Sequence, residues 1–168
     1  MIQDLKGAVQ IIGNSLREIL RISLSEDELK KYLDQAQFSQ PSSGNIVWNW
    51  AKPENGIYMV VKGKVRWLDA NQNLVATAGE GMIFGESTLF NQENFQSYTV
   101  RASINLLLCY LPEKLVRELI YKYPNLQESI HTQAIFKDLL ILYRQKISVG
   151  QNFTPIQKIY AALSLFKE

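Results

Sequence analysis

The stretch Gly79-Glu80-Gly81-Met82-Ile83-Phe84-Gly85-Glu86-Ser87-Thr88-Leu89, with Gln96-Ser97-Tyr98-Thr99-Val100-Arg101-Ala102 behind it, decides how this chain folds. Glycines at 79, 81 and 85 break the backbone repeatedly, so neither a helix nor a long strand fits there. Met82-Ile83-Phe84 leaves room for a short strand, and Ser87-Thr88-Leu89 for one helical turn. Tyr98-Thr99-Val100 is aromatic and β-branched, a strand composition. Gly85 also has a chemical consequence. Glycine lets a backbone approach a ligand with no Cβ in the way, and a short helical turn after it aims free N–H groups at an anion.

Upstream, Ile57-Tyr58-Met59-Val60-Val61 is a short apolar run and Lys62-Gly63 a turn. Val65 and Trp67 then alternate with Lys64 and Arg66, which predicts two strands around a tight turn. Asp69 to Asn73 is a further turn, and Leu106-Leu107-Leu108 a further strand run. Several short strands at regular spacing, from about Asn45 to Leu111, predict an all-β sandwich or roll.

The flanks are helical. Val9, Ile12, Leu16, Ile19 and Leu20 recur at helical spacing, and Ser25 with Glu28 forms a capping box for a helix carrying Leu29, Leu33 and Ala36. Pro41-Ser42-Ser43-Gly44 is a loop. Beyond the strands, Pro112 opens a helix with Leu115, Val116, Leu119 and Ile120 on one stripe. A longer helix is expected from Leu126 to Lys146, burying Ile130, Ile135, Leu139, Leu142 and Tyr143. After Gly150, Thr154-Pro155 opens a last amphipathic segment through Ile159, Leu163 and Phe166. The expected organisation is a helical segment over 1–40, the β-roll over 41–112 and helices over 113–168. No repeat is visible.

The chain has 168 residues, 46% hydrophobic and 20% charged, with a formal net charge of +2. That is an ordinary globular mixture, and no whole-protein field points to nucleic acid or an anionic membrane. Lys62, Lys64 and Arg66 read as a solvated hairpin face. The single cysteine, Cys109, excludes an internal disulfide and reads as a core residue. No signal peptide or membrane span is seen, and a cytoplasmic location is expected. His131 is the only histidine, so a catalytic histidine pair or multi-histidine metal site is excluded. Nucleophile elbow and Walker loop are also missing; the chain is expected not to be an enzyme and to carry no cofactor. Trp48, Trp50 and Trp67 read as sheet residues, in the core or as an exposed partner patch.

Taken in order, these motifs resemble the cyclic-nucleotide-binding domain family, the catabolite-activator-type β-roll. Gly56-Ile57-Tyr58 with Gly63-Lys64-Val65 is similar to its first hairpin, and Gly79 to Glu86 to the entry of its phosphate-binding cassette. Thr99-Val100-Arg101-Ala102 looks like the strand closing the cassette, and Cys109 to Glu113 and Tyr123 to Leu126 continue into two C-terminal helices. The resemblance implies an α+β fold: an antiparallel β-roll or jelly roll (double-stranded β-helix) with N-terminal and C-terminal helices. It implies a ligand site at Phe84, Gly85, Glu86, Ser87, Thr88, Leu89, Gln96 and Ser97, with Glu86 accepting from a ribose hydroxyl and Thr132 near the purine.

The sequence departs from the family at one chemical position. Where the family has its phosphate-pairing arginine stands Gln96, and no Arg or Lys lies between Glu86 and Arg101. A guanidinium gives about 1.5–3 kcal/mol per charge-assisted bond against roughly 0.5–1.5 for a neutral amide. The loss weakens a cyclic phosphate about tenfold to several hundredfold. Glu86 is expected to lack a positive counterpart.

The first expectation is therefore a regulatory sensor, binding a small ligand such as cAMP or cGMP weakly and signalling through the C-terminal helices to a fused or associated effector. The alternative is a degenerate roll, its pocket empty or filled by side chains, serving protein interaction or dimerisation. Leu139-Leu140-Ile141-Leu142 is too apolar all round for a lone surface helix; either it packs on the roll or two copies of the long helix pair, and a homodimer through that helix is expected. A third expectation is the N-terminal part of a larger transcription regulator or transporter. Gln157-Lys158-Ile159-Tyr160 looks like the first helix of a DNA-reading domain, but this chain alone is not expected to bind DNA.

Overall fold

The computed structural model describes residues 5–148. Two helices open it, α1 (Leu5–Glu18) and α2 (Glu26–Leu33). The N-cap half of the capping box forms: the Glu28 N–H donates to Ser25 Oγ at 3.2 Å, while the Ser25 hydroxyl, in place of its backbone N–H, donates to Glu28 Oε1 at 3.2 Å.

Eight strands follow: β1 (Gln37–Ser39), β2 (Ile46–Asn49), β3 (Gly56–Lys62), β4 (Val65–Asp69), β5 (Leu74–Ala78), β6 (Ile83–Phe84), β7 (Tyr98–Ala102) and β8 (Leu107–Pro112). They build two four-stranded antiparallel sheets, ordered β1-β8-β3-β6 and β2-β7-β4-β5. Helices α3 (Glu113–Lys122) and α4 (Asn125–Ser148) close the described chain. This is the antiparallel β-roll with flanking helices expected from sequence. The β1 strand begins before residue 41, inside the segment read as helical. It is too short to show alternation, and its pairing of Phe38 with Cys109 depends on a strand far along the chain.

The apolar runs in β3 and β8 have a structural cause. Ile57, Met59 and Val61, with Leu107, Cys109 and Leu111, face the helices and join a core with Ile12, Leu16, Leu115 and Ile130. Tyr58, Val60 and Leu108 face the other way, into the roll, against Trp67, Val100 and Ile141. A sheet covered on both faces reads as a continuous hydrophobic run. The second sheet is covered on one face, so Val65 and Trp67 are buried while Arg66 is exposed. Trp48 and Trp67 belong to the interior and form no external patch.

The α4 helix covers the sequence-expected span of 126–146. It buries Leu126, Ile130, Ala134, Lys137 and Ile141 along one stripe. The final segment from Thr154 lies outside the described residues. Among the described residues no helix is long and apolar enough to cross a membrane.

Candidate functional site

The cassette starts where β6 ends. Gly85 has φ +81°, and a Cβ there would sit 3.2 Å from Trp48 Nε1, so glycine is required twice over. A short 3₁₀ turn, Glu86–Leu89, follows, then a second over Gln92–Asn94, before the chain enters β7. Thr88 ties the first turn to the hairpin. The Gly56 N–H donates to Thr88 Oγ1 (2.9 Å), and the Thr88 hydroxyl donates to the Gly85 carbonyl (2.7 Å).

The space in front of Gly85 is filled by the protein itself. The Gly85 N–H donates to the Tyr98 hydroxyl oxygen at 2.8 Å. The Tyr98 ring stacks on Trp48 with centroids 4.5 Å apart and meets the edge of Trp67 at 5.5 Å. Burial, with the nearby Glu86 charge behind it, pushes the Tyr98 phenol well above its ordinary pKa, so it stays protonated.

Glu86 is fully buried, and Lys137 of α4 pairs with both its oxygens, at 2.9 and 3.0 Å. The Lys137 ammonium also lies 5.6 Å from the centroid of the Trp67 ring, within cation–π range. Burial raises the Glu86 carboxyl above its usual pKa, and Lys137 pulls the other way. The expectation that Glu86 lacks a positive counterpart is corrected here: the cation arrives from a helix 51 residues further along. The next residue on α4 grips the other end of the cassette, where the Gln96 N–H donates to Asp138 Oδ1 at 2.5 Å. Burial raises the Asp138 carboxyl, opposed by this bond.

The expected site residues therefore have distinct places. Phe84 stacks on Tyr58 at 5.0 Å, Glu86 and Ser87 are buried in the turn, and Leu89 points into the helical core. Gln96 is held through its backbone by Asp138. Ser97 lines a separate depression of about 390 Å³ with Asn49, Trp50 and Arg101. The Thr132 hydroxyl bonds its own helix at the Glu128 carbonyl (3.0 Å). His131 is exposed against Phe90, as an ordinary surface residue. Among the described residues no group of His, Cys, Asp and Glu has metal-site geometry.

Sequence reasoning missed Tyr98, Trp48 and Lys137 as parts of this site. For Lys137 there was a signal: it stands in the series Ile130, Ala134, Lys137, Ile141, a lysine on the buried stripe of a helix. Tyr98 gave none, since an aromatic in a strand is the commonest reading of the residue.

Residues 42–123 match the family model described as cyclic nucleotide-binding domain. Over 151 residues the chain is 28% identical to lysophospholipase NTE1 of Kluyveromyces lactis, covering 86% of this chain and 10% of that protein. The chain thus spans a tenth of the curated relative it matches. Among solved structures, the catabolite activator protein of Thermus thermophilus superposes with TM-score 0.58 at 19% identity, over 79% of this chain and 62% of that one. A cyclic nucleotide-binding domain from Methylobacillus flagellatus superposes with TM-score 0.61 at 16% identity, over 88% and 86%. At such identities these structures speak for the fold alone.

Proposed function

Residues 42–123 belong to the cyclic nucleotide-binding domain family, and from that premise we propose that the chain is a non-catalytic regulatory module whose cassette is held shut by its own side chains. It acts through α4 on a fused or associated effector, and it does not respond to cAMP or cGMP at cellular concentrations.

One observation carries this reading. Two groups that a cyclic nucleotide would use in this cassette are already engaged: the Gly85 N–H by Tyr98 and the Glu86 carboxylate by Lys137. A nucleotide entering here must displace a stacked tyrosine and uncouple a buried ion pair. It would gain no guanidinium at position 96 in return. Breaking a buried pair by removing one partner costs about 3–5 kcal/mol, which alone lowers affinity by a factor of about 100 or more. The cavity remaining between α4 and the roll is about 130 Å³, well short of the ~300 Å³ at which ordinary ligand pockets begin.

The regulatory reading draws support from the relative in Kluyveromyces lactis, whose name is that of a lipase while its match to this chain occupies a tenth of its length. The effector, the cytoplasmic location and a homodimer through α4 belong to the proposal. Calorimetry with cAMP and cGMP tests the closed cassette. No heat at millimolar nucleotide is expected, and saturable binding at micromolar nucleotide would refute it.

A further inference from the structure

The outer face of the β2-β7-β4-β5 sheet carries charge that the fold does not use. Arg66 of β4 and Arg101 of β7 stand directly opposite one another in the ladder, so their side chains share a face. Their strand neighbours Val65, Trp67, Val100 and Ala102 are buried, which puts both arginines on the outside. Like charges directly opposite one another destabilise a sheet. Among the described residues no carboxylate lies within ion-pair distance of either arginine to offset this. Arg101 is half-buried, and its Nη1–H donates to the Gly44 carbonyl at 2.9 Å. That bond steadies the guanidinium and uses one of its five donors. Arg66 is exposed.

The positions around the pair are apolar or neutral. The ladder extends the arginine row to Ile46 on β2 and Thr77 on β5, and the neighbouring outward row is Asn49, Thr99, Leu68 and Leu74. Neither row holds an Asp or Glu. Ile46 is 49% exposed and Leu74 55%, on the two edge strands of the sheet. Ile46 also lines the depression of about 390 Å³, together with Trp50, Asn49, Thr99 and Arg101. The face thus offers a cationic centre between two apolar edges, and its complement is an acid between two apolar groups. Strand geometry sets the spacing of that complement. From midway between β7 and β4, strands β2 and β5 are each one and a half strand spacings away, about 7 Å. An extended segment crossing the strands lays every second side chain on the sheet, about 6.6 Å apart.

We infer that this face docks an extended acidic segment of a partner protein, of the pattern apolar-x-acid-x-apolar, whose central carboxylate lies on Arg66 and Arg101 while its apolar side chains cover Ile46 and Leu74. A carboxylate matches the guanidinium fork, and the charge it brings relieves the opposition between the two arginines. The face is turned away from the interior of the roll, where the cassette lies. Micromolar nucleotide binding would refute the closed cassette and leave this surface standing, and a failed peptide titration leaves the cassette reading intact.

The test is an NMR titration of the full chain, followed at the backbone amides of β2, β4 and β7, with the end-blocked peptide Leu-Thr-Glu-Thr-Leu, whose threonines favour an extended backbone. Saturable shifts on these strands are expected at millimolar peptide or below. An exposed ion pair is worth about two- to fivefold in affinity, so losing both pairs in Leu-Thr-Gln-Thr-Leu should weaken binding about 4- to 25-fold. The isomer Glu-Thr-Leu-Thr-Leu, its acid moved to one end, should bind at least about twofold more weakly. Arg66→Thr should lower affinity for the parent peptide about two- to fivefold while leaving the urea midpoint unchanged or raised, because it removes the like-charge opposition. Arg101→Thr should weaken the peptide at least as much. Vesicles of phosphatidylcholine and phosphatidylserine test a lipid surface instead, and no co-sedimentation is expected. Co-sedimentation that Arg66→Thr abolishes would overturn the inference. So would the absence of saturable shifts on these strands at millimolar peptide, equal affinity for the Glu and Gln peptides or for the two isomers, or equal affinity of the parent chain and Arg66→Thr.

Discussion

Replacing Lys137 by methionine isolates the ion pair on which the closed cassette depends. Methionine keeps the length and apolar contacts of the lysine stem and removes the charge, leaving Glu86 fully buried and without its cation. A buried charge stripped of its partner costs about 3–5 kcal/mol. The carboxyl has an escape, because it can take up a proton. From the ordinary value of 4.5, protonation at pH 7 costs about 3.4 kcal/mol, at about 1.36 kcal/mol for each pH unit. That escape sets the ceiling at pH 7. At pH 5 the same escape costs only about 0.7 kcal/mol. In the variant the folded-state pKa of Glu86 lies above its unfolded value, so the penalty is absent below about pH 4.5 and grows as pH rises. Urea unfolding followed by tryptophan fluorescence should therefore give a loss of about 3 kcal/mol at pH 7 and under about 1 kcal/mol at pH 5. The melting temperature should fall by roughly 7–14 °C at pH 7. Adding Glu86→Gln should recover all but about 1 kcal/mol, because no charge is then stranded. Equal losses at both pH values, or a double variant no more stable than Lys137→Met alone, would show that the pair does not hold the site as argued.

Three other outcomes are expected. Gln96→Arg alone should not confer cyclic-nucleotide binding, because Tyr98 still occupies the Gly85 N–H; on a Tyr98→Ala background the same change should raise cAMP affinity about 10- to 100-fold by calorimetry, and a gain from Gln96→Arg alone would contradict the filled pocket. Burial pushes the Cys109 thiol up to about 12, so an aromatic disulfide reagent at pH 8 should react only as the protein unfolds, and prompt labelling of the native chain would place Cys109 outside the core. Lys122 and Tyr123 hold the exposed Glu28 carboxyl at about 2; this pulled-down acid contributes stability above its ordinary pKa that is lost as pH falls towards 2. An NMR titration of the Glu28 side chain should show that low midpoint, and Lys122→Ala should return it towards the ordinary value, whereas an ordinary midpoint in the parent chain removes the α2–α3 link.

What the sequence made legible was local. The Ser25–Glu28 pair needs only residues three apart, and the glycines at 79, 81 and 85 mark a broken backbone from their own neighbourhood alone. The roll was readable because many short strands with turns leave few architectures. The filling of the site was not, because it is decided by residues far apart in sequence. Tyr98 reaches Gly85 across 13 residues and Lys137 reaches Glu86 across 51. A missing arginine could be counted at position 96, while its consequence depended on groups nowhere near that position. Strand β1 escaped for the same reason, since a three-residue strand exists only through its partner.

Lys137 and Asp138 are neighbours on α4, yet they hold Glu86 and Gln96, the two ends of the cassette. Adjacent helical side chains point about 100° apart, so the helix fits into the cassette with one residue on each wall, and a rotation that keeps one contact loses the other. That makes the attachment of α4 two-state in character, which is what a coupling device requires. Releasing the helix costs at least the pair, about 3–5 kcal/mol, and a charge-assisted bond of about 1.5–3 kcal/mol besides. Coupling between sites is usually 1–3 kcal/mol, less than that sum, so a modest signal would not free α4 outright. It would shift a helix that stays attached at one wall. The effector contact should therefore be sought on the part of α4 that can move while Lys137 remains in place, beyond Ile141 toward Ser148, and not on the stripe that lines the roll.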